Sequence, residues 1–242
     1  MTHNYSEGEV LLIDKPIGWT SFDVVNKIRG AIRNYLREHT EDKNSGKIKV
    51  GHAGTLDPLA TGLLIICTGK FTKRIDEFMA QEKEYTGTIT FGASTPSYDS
   101  ETPADFNFDI ATLNKEDILK ASQKFIGEIA QVPPMYSAIK QEGKKLYELA
   151  RKGITVEIKP RMVTIKEFEL TEIDFPHVKF RIVCSKGTYI RSIAHDLGKA
   201  LKNGAHLSSL RRTRIGDYDV KDAFGVLEFV NEIIVKQGEA KE

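Results

Sequence analysis

One twelve-residue stretch, Gly51-His52-Ala53-Gly54-Thr55-Leu56-Asp57-Pro58-Leu59-Ala60-Thr61-Gly62, limits the possible folds more than any other part of the chain. It follows a strand-like run, Lys47-Ile48-Lys49-Val50, and precedes a continuous apolar one, Leu63-Leu64-Ile65-Ile66-Cys67. The stretch is therefore expected to be a loop slung between two sheet strands. Its glycines permit backbone angles that other residues avoid and let a ligand come close. Pro58 fixes its own φ and pushes Asp57 out of the α region. A lone Asp-Pro pair would read as a turn or a helix N-cap. In this setting it reads as a stiff loop that holds one carboxylate at a fixed place on a sheet edge, where binding residues often gather.

The flanking chain supplies a scaffold. Glu9–Asp14 reads as a buried strand closed by Lys15-Pro16 and a turn at Gly18. A helix follows, capped by Thr20 or Ser21, with Val25, Ile28, Ile32 and Tyr35 on one face. Residues 38–46 are polar and unpatterned and are expected to form a loop. Phe71, Ile75, Phe78 and Met79 outline a short amphipathic helix. Lys83–Ala93 alternates with period 2, putting Tyr85, Gly87, Ile89 and Phe91 on one side of a half-buried strand. Residues 94–112 read as a long loop. Asn114 and Asp117 resemble a capping box ahead of a helix with Ile118, Leu119, Phe125 and Ile126 on its face.

Two prolines in Gln131-Val132-Pro133-Pro134-Met135-Tyr136 forbid a helix interior or a central strand. A basic helix, Lys144 to Lys152, is expected next, stopped by Gly153. Strands resume at Val163–Leu170 and Val178–Cys184. Ser185-Lys186-Gly187-Thr188 then turns into a helix faced by Ile190, Ile193, Ala194, Leu197 and Leu201. A strand over Leu210–Ile215 and a final helix burying Leu227, Val230, Ile233 and Ile234 complete the chain. Several strands follow one another directly, without strict βα alternation. That pattern predicts an α+β fold with a mixed, mainly antiparallel sheet, as a single domain over residues 1–242 with an insertion.

Composition narrows the function. No apolar run approaches the roughly 20 residues that cross a bilayer, and the N-terminus lacks a signal-peptide pattern, so a cytoplasmic protein with no membrane partner is expected. The two cysteines, Cys67 and Cys184, both fall in apolar strand patterns and read as reduced core thiols. Net charge is only +1, which argues weakly against a nucleic-acid partner. The average hides an asymmetry, with acids concentrated in residues 97–117 and bases in residues 137–161. A polyanion could use one face while the whole stays near neutral. No two histidines stand at metal-ligand spacing, and no P-loop, dinucleotide fingerprint or nucleophile elbow occurs. A carboxylate reaction without metal or cofactor is what remains.

The organising stretch fills every fixed position of the pattern G-H-x-G-x-L-D-P-x-A-x-G and resembles motif II of the TruB family of tRNA pseudouridine synthases. Other family motifs follow in the family's order: Leu12-Ile13-Asp14-Lys15-Pro16, Lys83-Glu84-Tyr85, Gln131-Val132-Pro133-Pro134-Met135, Cys184 to Arg191, and Gly204-Ala205-His206-Leu207 with Leu210-Arg211-Arg212. The resemblance implies the pseudouridine synthase fold and conversion of uridine at position 55 of the tRNA T-loop to pseudouridine. It implies Asp57 as the catalytic residue, leaving open whether it attacks base or sugar or takes a proton. Arg191 matches the arginine that pairs with that carboxylate, and a close cation lowers an Asp pKa. Tyr85 matches the aromatic that stacks on the target base and is expected to handle the C5 proton as a catalytic residue, and His52 the residue that helps take the place of extruded nucleotides. Tyr189 and Leu210 match base-pocket residues, and Lys15 lies in a motif that braces the catalytic loop.

Residues from about 127 to 158 match an RNA-clasping insertion, so Lys140, Lys144, Lys145, Arg151 and Lys152 are expected to meet phosphates. The tRNA T-stem-loop is the implied partner of a monomer needing no other protein. Unlike many relatives, the chain is expected to lack a C-terminal PUA domain. Its acidic 97–117 segment fits the family loop poorly and receives no role. The alternatives are a guide-RNA-dependent synthase, a non-catalytic tRNA-binding or chaperone module, and a two-carboxylate glycosidase.

Overall fold

The computed structural model describes residues 4–39, 47–141 and 143–239. In chain order the elements are β1 (Val10–Lys15), α1 (Ser21–His39), β2 (Val50–His52), β3 (Ala60–Thr68), α2 (Ile75–Ala80), β4 (Lys83–Phe91), β5 (Ala93–Ser94) and β6 (Phe106–Asn107). They continue with α3 (Lys115–Gln123), β7 (Gly127–Gln131), β8 (Lys140–Gln141), β9 (Lys144–Lys145), α4 (Leu146–Ala150), β10 (Arg161–Asp174) and β11 (His177–Cys184). The last are α5 (Ile190–Ala200), β12 (Ala205–Ile215), β13 (Tyr218–Asp219), β14 (Phe224–Gly225) and α6 (Val226–Glu239). The chain groups into two compact units, residues 1–83 with 211–242, and residues 84–210.

In the first unit β3 is the central strand. It pairs antiparallel with β1, from Val10 opposite Cys67 to Lys15 opposite Gly62, and β2 folds back antiparallel on it. β1 also runs parallel to β14, so the pairing is mixed but mostly antiparallel. The unbroken apolar run of β3 is explained by burial on both faces. Leu64 and Ile66 join Ile13, Val25, Ile28, Ile32, Val226 and Phe229 in one cluster. Leu63, Ile65 and Cys67 point the other way, into a cluster with Ala53, Phe78 and Ile215. Each such side chain contributes about 1.5–3 kcal/mol by leaving water.

Helix α1 presents the expected Val25, Ile28 and Ile32 to the first cluster, and Tyr35 meets Tyr5 edge-on at 5.9 Å. Thr20 is its cap. The Asp23 amide donates to Thr20 Oγ1 at 3.0 Å, and Asp23 Oδ2 accepts from the Thr20 amide at 2.9 Å, a reciprocal capping box. The helix continues to His39, past the start of the loop expected from residue 38, and residues 40–46 lie outside the described part. Two further expectations fail on single residues. Met79 and Leu227 are exposed, whereas Phe78, Val226, Phe229 and Val230 carry the burial. Helix α2 has fewer than two turns, too short for periodicity to fix its inner face. In α6 the inner stripe runs one position out of the assumed phase; the side chains of Ile233 and Ile234 lie outside the described part.

In the second unit the strand order is β12, β4, β11, β10, β7. The long β10–β11 hairpin pairs antiparallel, as do β10 and β7. Helix α3 is capped as expected, the Asp117 amide donating to Asn114 Oδ1 at 2.9 Å. It ends at Gln123, so Phe125 and Ile126 lie beyond it, and Leu119 and Ile126 are exposed while Ile118 is buried. The loop expected over 94–112 carries the two-residue hairpin β5–β6.

The basic helix expected over Lys144 to Lys152 does not begin at Lys144. Lys144 and Lys145 form β9, pairing back on Lys140 and Gln141 across Gly143, whose φ is +83°. Gly143 reverses the chain there, and the helix starts only at Leu146, which is fully buried.

At Gly62 in the first unit no other residue fits. Gly62 holds φ +102°, and a Cβ built on it would collide with the Arg212 carbonyl oxygen and lie 2.7 Å from its amide nitrogen. Gly62→Ala should therefore lose at least about 2 kcal/mol of stability, the combined effect of a left-handed backbone and a forced gap between strands. Urea denaturation checks this, and a midpoint equal to wild type would mean the strands move apart freely.

Candidate active site

The loop that carries Asp57 closes the β2–β3 hairpin in the first unit. Its two ends are fixed by ladder bonds, and the Ala53 amide adds a further bond to the Ile65 carbonyl at 2.9 Å. Leu56 and Ala60 are buried on either side of Asp57, which is itself half-buried. The Ala60 amide donates to the Asp57 carbonyl at 3.0 Å, so Asp57 opens a tight turn.

Three side chains from distant parts of the sequence hold this turn. Ser21 Oγ accepts from the Leu56 amide at 2.9 Å and donates to the Leu56 carbonyl at 3.1 Å, both within one buried pair. Ser21 is available because Thr20 performs the helix capping. Lys15 is completely buried, its ammonium donating to the carbonyls of Trp19 at 2.6 Å, Pro16 at 2.9 Å and Pro58 at 3.4 Å. The Gly18 amide adds a bond to the Pro58 carbonyl at 2.8 Å. Arg212, 1% exposed, donates from Nε to the Leu63 carbonyl at 2.8 Å and from Nη2 to the Gly54 carbonyl at 3.0 Å. Each bond to a charged donor is worth about 1.5–3 kcal/mol. The sequence alone does not show that Ser21 and Arg212 hold this loop; a serine read as a possible cap and an arginine in a strand carry no local mark of these partners.

The electrostatics follow from these positions. Burial pushes the Lys15 ammonium down to about 8, opposed by attraction to Asp57, and Arg212 lowers it further. His52, at the end of β2, is also held below its ordinary value, first by burial and then by Arg212, so its imidazole is neutral at neutral pH. The first unit thus sets Lys15 within the field of Asp57, and Arg212 within reach of both Lys15 and His52.

The second unit brings together Tyr189 and Arg191, with Tyr85 buried on β4 and Leu210 half-buried on β12. Tyr189 precedes α5, and its backbone is gripped at both ends by one side chain. Gln131 Oε1 accepts from the Tyr189 amide at 2.8 Å and Gln131 Nε2 donates to the Tyr189 carbonyl at 3.0 Å. The Arg161 guanidinium lies over the Tyr189 ring, 5.1 Å from its centroid. Arg191 is buried, at 4% exposure. It donates to the Tyr136 carbonyl at 2.8 Å and the Ser97 carbonyl at 3.1 Å, and lies 3.6 Å from Asp99 Oδ2. Asp99 is likewise buried. It belongs to the acidic 97–117 segment, and nothing in its local sequence separates it from the other acids there.

The basic insertion presents Lys140, Lys144 and Lys152 to solvent. Lys145 and Arg151 both lie over the Tyr147 ring, at 5.4 and 5.5 Å from its centroid. Arg151 also pairs with Glu101 at 3.3 Å.

Residues 41–190 match the model of the TruB family pseudouridylate synthase N-terminal domain, and residues 191–242 that of the tRNA pseudouridylate synthase B C-terminal domain. The chain is 56% identical to tRNA pseudouridine synthase B of Flavobacterium johnsoniae over 225 residues, covering 93% of this chain and 96% of the relative. It is 53% identical to tRNA pseudouridine synthase B of Phocaeicola vulgatus over 226 residues, covering 93% of each. Among solved structures it resembles a chain in the crystal structure of a Cbf5-Nop10-Gar1 complex, with a TM-score of 0.72 at 28% identity. That match covers 98% of this chain but 58% of the other.

The buried lysine sets a pH dependence. Its folded value of about 8 lies below the 10.5 of a free lysine, so between those values the unfolded chain holds more protons and stability rises with pH. The unfolding free energy of wild type minus that of Lys15→Met should therefore grow by up to about 3 kcal/mol from about pH 7.5 to about pH 10. Urea titrations of both proteins across that range test it; parallel curves would mean that Lys15 titrates like a solvated lysine.

Proposed function

This chain belongs to the TruB family of pseudouridylate synthases, and from that premise we propose that it isomerises uridine 55 in the T-loop of tRNA to pseudouridine. The observation that carries the reading is Asp57, a loop carboxylate held in one place by Lys15, Ser21 and Arg212. In the reaction the N1–C1′ glycosidic bond breaks, the uracil turns, and a C5–C1′ bond forms. C5 then loses its proton and N1 is left protonated, so the RNA keeps its mass. Asp57 is the catalytic carboxylate, either as a nucleophile toward base or sugar or as a proton acceptor. A rigid support matters for each of these roles, because a misplacement of about 1 Å can cost a factor of about 100 in rate.

The remaining residues serve binding and charge. Tyr85 stacks on the target base, and Tyr189 and Leu210 line its pocket. Extracting a stacked base costs a few kcal/mol, and stacking on an aromatic ring returns about 1–3 kcal/mol. His52, neutral at neutral pH, fills the space that extruded nucleotides leave. Arg191 is the cation of the reaction. Residues 1–242 act as one catalytic domain whose insertion, about 127–158, clasps the RNA through Lys140, Lys144, Lys145, Arg151 and Lys152. The enzyme works in the cytoplasm as a monomer, without guide RNA or a protein partner.

Two experiments test this reading. Purified chain with unmodified tRNA alone should release tritium from uridine labelled at C5 and leave the RNA mass unchanged. Asp57→Asn should still bind tRNA but lose at least about 100-fold in that rate. Release at the wild-type rate would remove Asp57 from the chemistry, and a hydrolysed product would replace isomerisation with glycosidase action. Separately, Lys144→Glu with Lys145→Glu should weaken tRNA binding and flatten its logarithmic salt dependence by about 1–2 units, one for each phosphate that is no longer neutralised. An unchanged slope would place those lysines away from the RNA.

A further inference from the structure

We propose that Tyr98 and His195 form a stacked clamp that sets Asp99 against Arg191, which makes both of them positioning residues for the isomerisation. The inference rests on the reading above, in which Arg191 takes part in the reaction. The geometry comes from one turn and one helix within the second unit. Arg191 and His195 are four residues apart on α5 and so share a face. Arg191 takes two of its contacts from either side of a single residue, the Ser97 carbonyl and the Asp99 carboxylate. The residue between them is Tyr98, whose φ of +63° lies in the left-handed region.

That backbone state is unfavourable for a bulky side chain, by about 1–2 kcal/mol, and persists only where its surroundings impose it. Here the ring lies flat on the His195 imidazole, with centroids 3.8 Å apart and planes 12° apart. The main chain of Tyr98 is tied at both ends. Its amide donates to the Thr95 carbonyl at 3.1 Å, and its carbonyl accepts from the Leu207 amide at 2.9 Å. The turn also orients the carboxylate. Asp99 Oδ1 accepts from the Glu101 amide at 2.9 Å, which leaves Oδ2 facing Arg191. Hydroxyls of Thr95 and Ser97 donate to the Asp99 carbonyl at 2.7 and 3.2 Å. Removing the stack would leave the strained residue without its main side-chain support, and the Asp99 carboxylate would lose its fixed approach to Arg191.

The experiment separates clamp from backbone. Tyr98→Gly keeps the left-handed turn, which glycine adopts freely, but has no ring. Tyr98→Phe and His195→Phe each keep a stack. In single-turnover tritium release, Tyr98→Gly and His195→Ala should each be slower by about tenfold, a change of about 1.4 kcal/mol in barrier. Their tRNA dissociation constants should stay within about twofold of wild type, and the two Phe variants should recover most of the rate. The double variant should be no slower than either single one, because the two rings act as a unit. Tyr98→Gly at the wild-type rate overturns the clamp. An inactive wild type instead overturns the functional reading, and the clamp is then judged by the Arg191 side-chain N–H signals in 15N NMR. Slow solvent exchange that is lost in Tyr98→Gly and kept in Tyr98→Phe supports the clamp; equal exchange in both overturns it.

Discussion

Two buried cations answered by main-chain carbonyls are the constraint on which the rest of the first unit depends. Lys15 and Arg212 are both excluded from solvent, and the bonds seen at their charged groups run to carbonyls of the turn before α1, the Asp57 loop and β3. An unmatched charge in such a place would cost several kcal/mol, so the carbonyls must hold their positions for the unit to fold at all. The loop therefore inherits its rigidity from the core. The sole carboxylate of the loop stands on a support that cannot relax without leaving a cation unsolvated.

The second unit applies the same logic with a different partner. Arg191 is buried with the Ser97 and Tyr136 carbonyls and the Asp99 carboxylate among its partners, and Gln131 fixes the residue two positions ahead of it. Here the supports come from two loops rather than from named strands. Ser97, Asp99 and Tyr136 all lie in irregular chain, yet all converge on the first turn of α5. Polar groups of this kind are costly when half-satisfied, which ties the shape of two long loops to the presence of one guanidinium.

Much of this was legible in the sequence where a local rule applied. The two-sided burial of β3 follows from its unbroken apolar run, and the α1 face follows from its period. The turn at Pro58 follows from backbone sterics. What stayed hidden was long-range. Ser21 looks like a cap until Thr20 takes that role, and Arg212 reads only as part of a strand until the Leu63 and Gly54 carbonyls are brought to it. Asp99 sits among acids of the same type, and only the fold delivers it to Arg191. The misplaced helix at Lys144 has a different cause: helix propensity favoured lysine-rich continuity, but the reversal at Gly143 and the burial of Leu146 prevailed.

The contact between Arg151 and Glu101 changes how an incoming polyanion would be received. Both side chains are well hydrated, and a pair of this kind holds by about 0.2–1 kcal/mol. A phosphate reaching that guanidinium meets an occupied seat rather than a bare charge, so engagement there is an exchange of counter-ions. A glutamate displaced in that exchange would stand as a repulsive neighbour to the arriving anion.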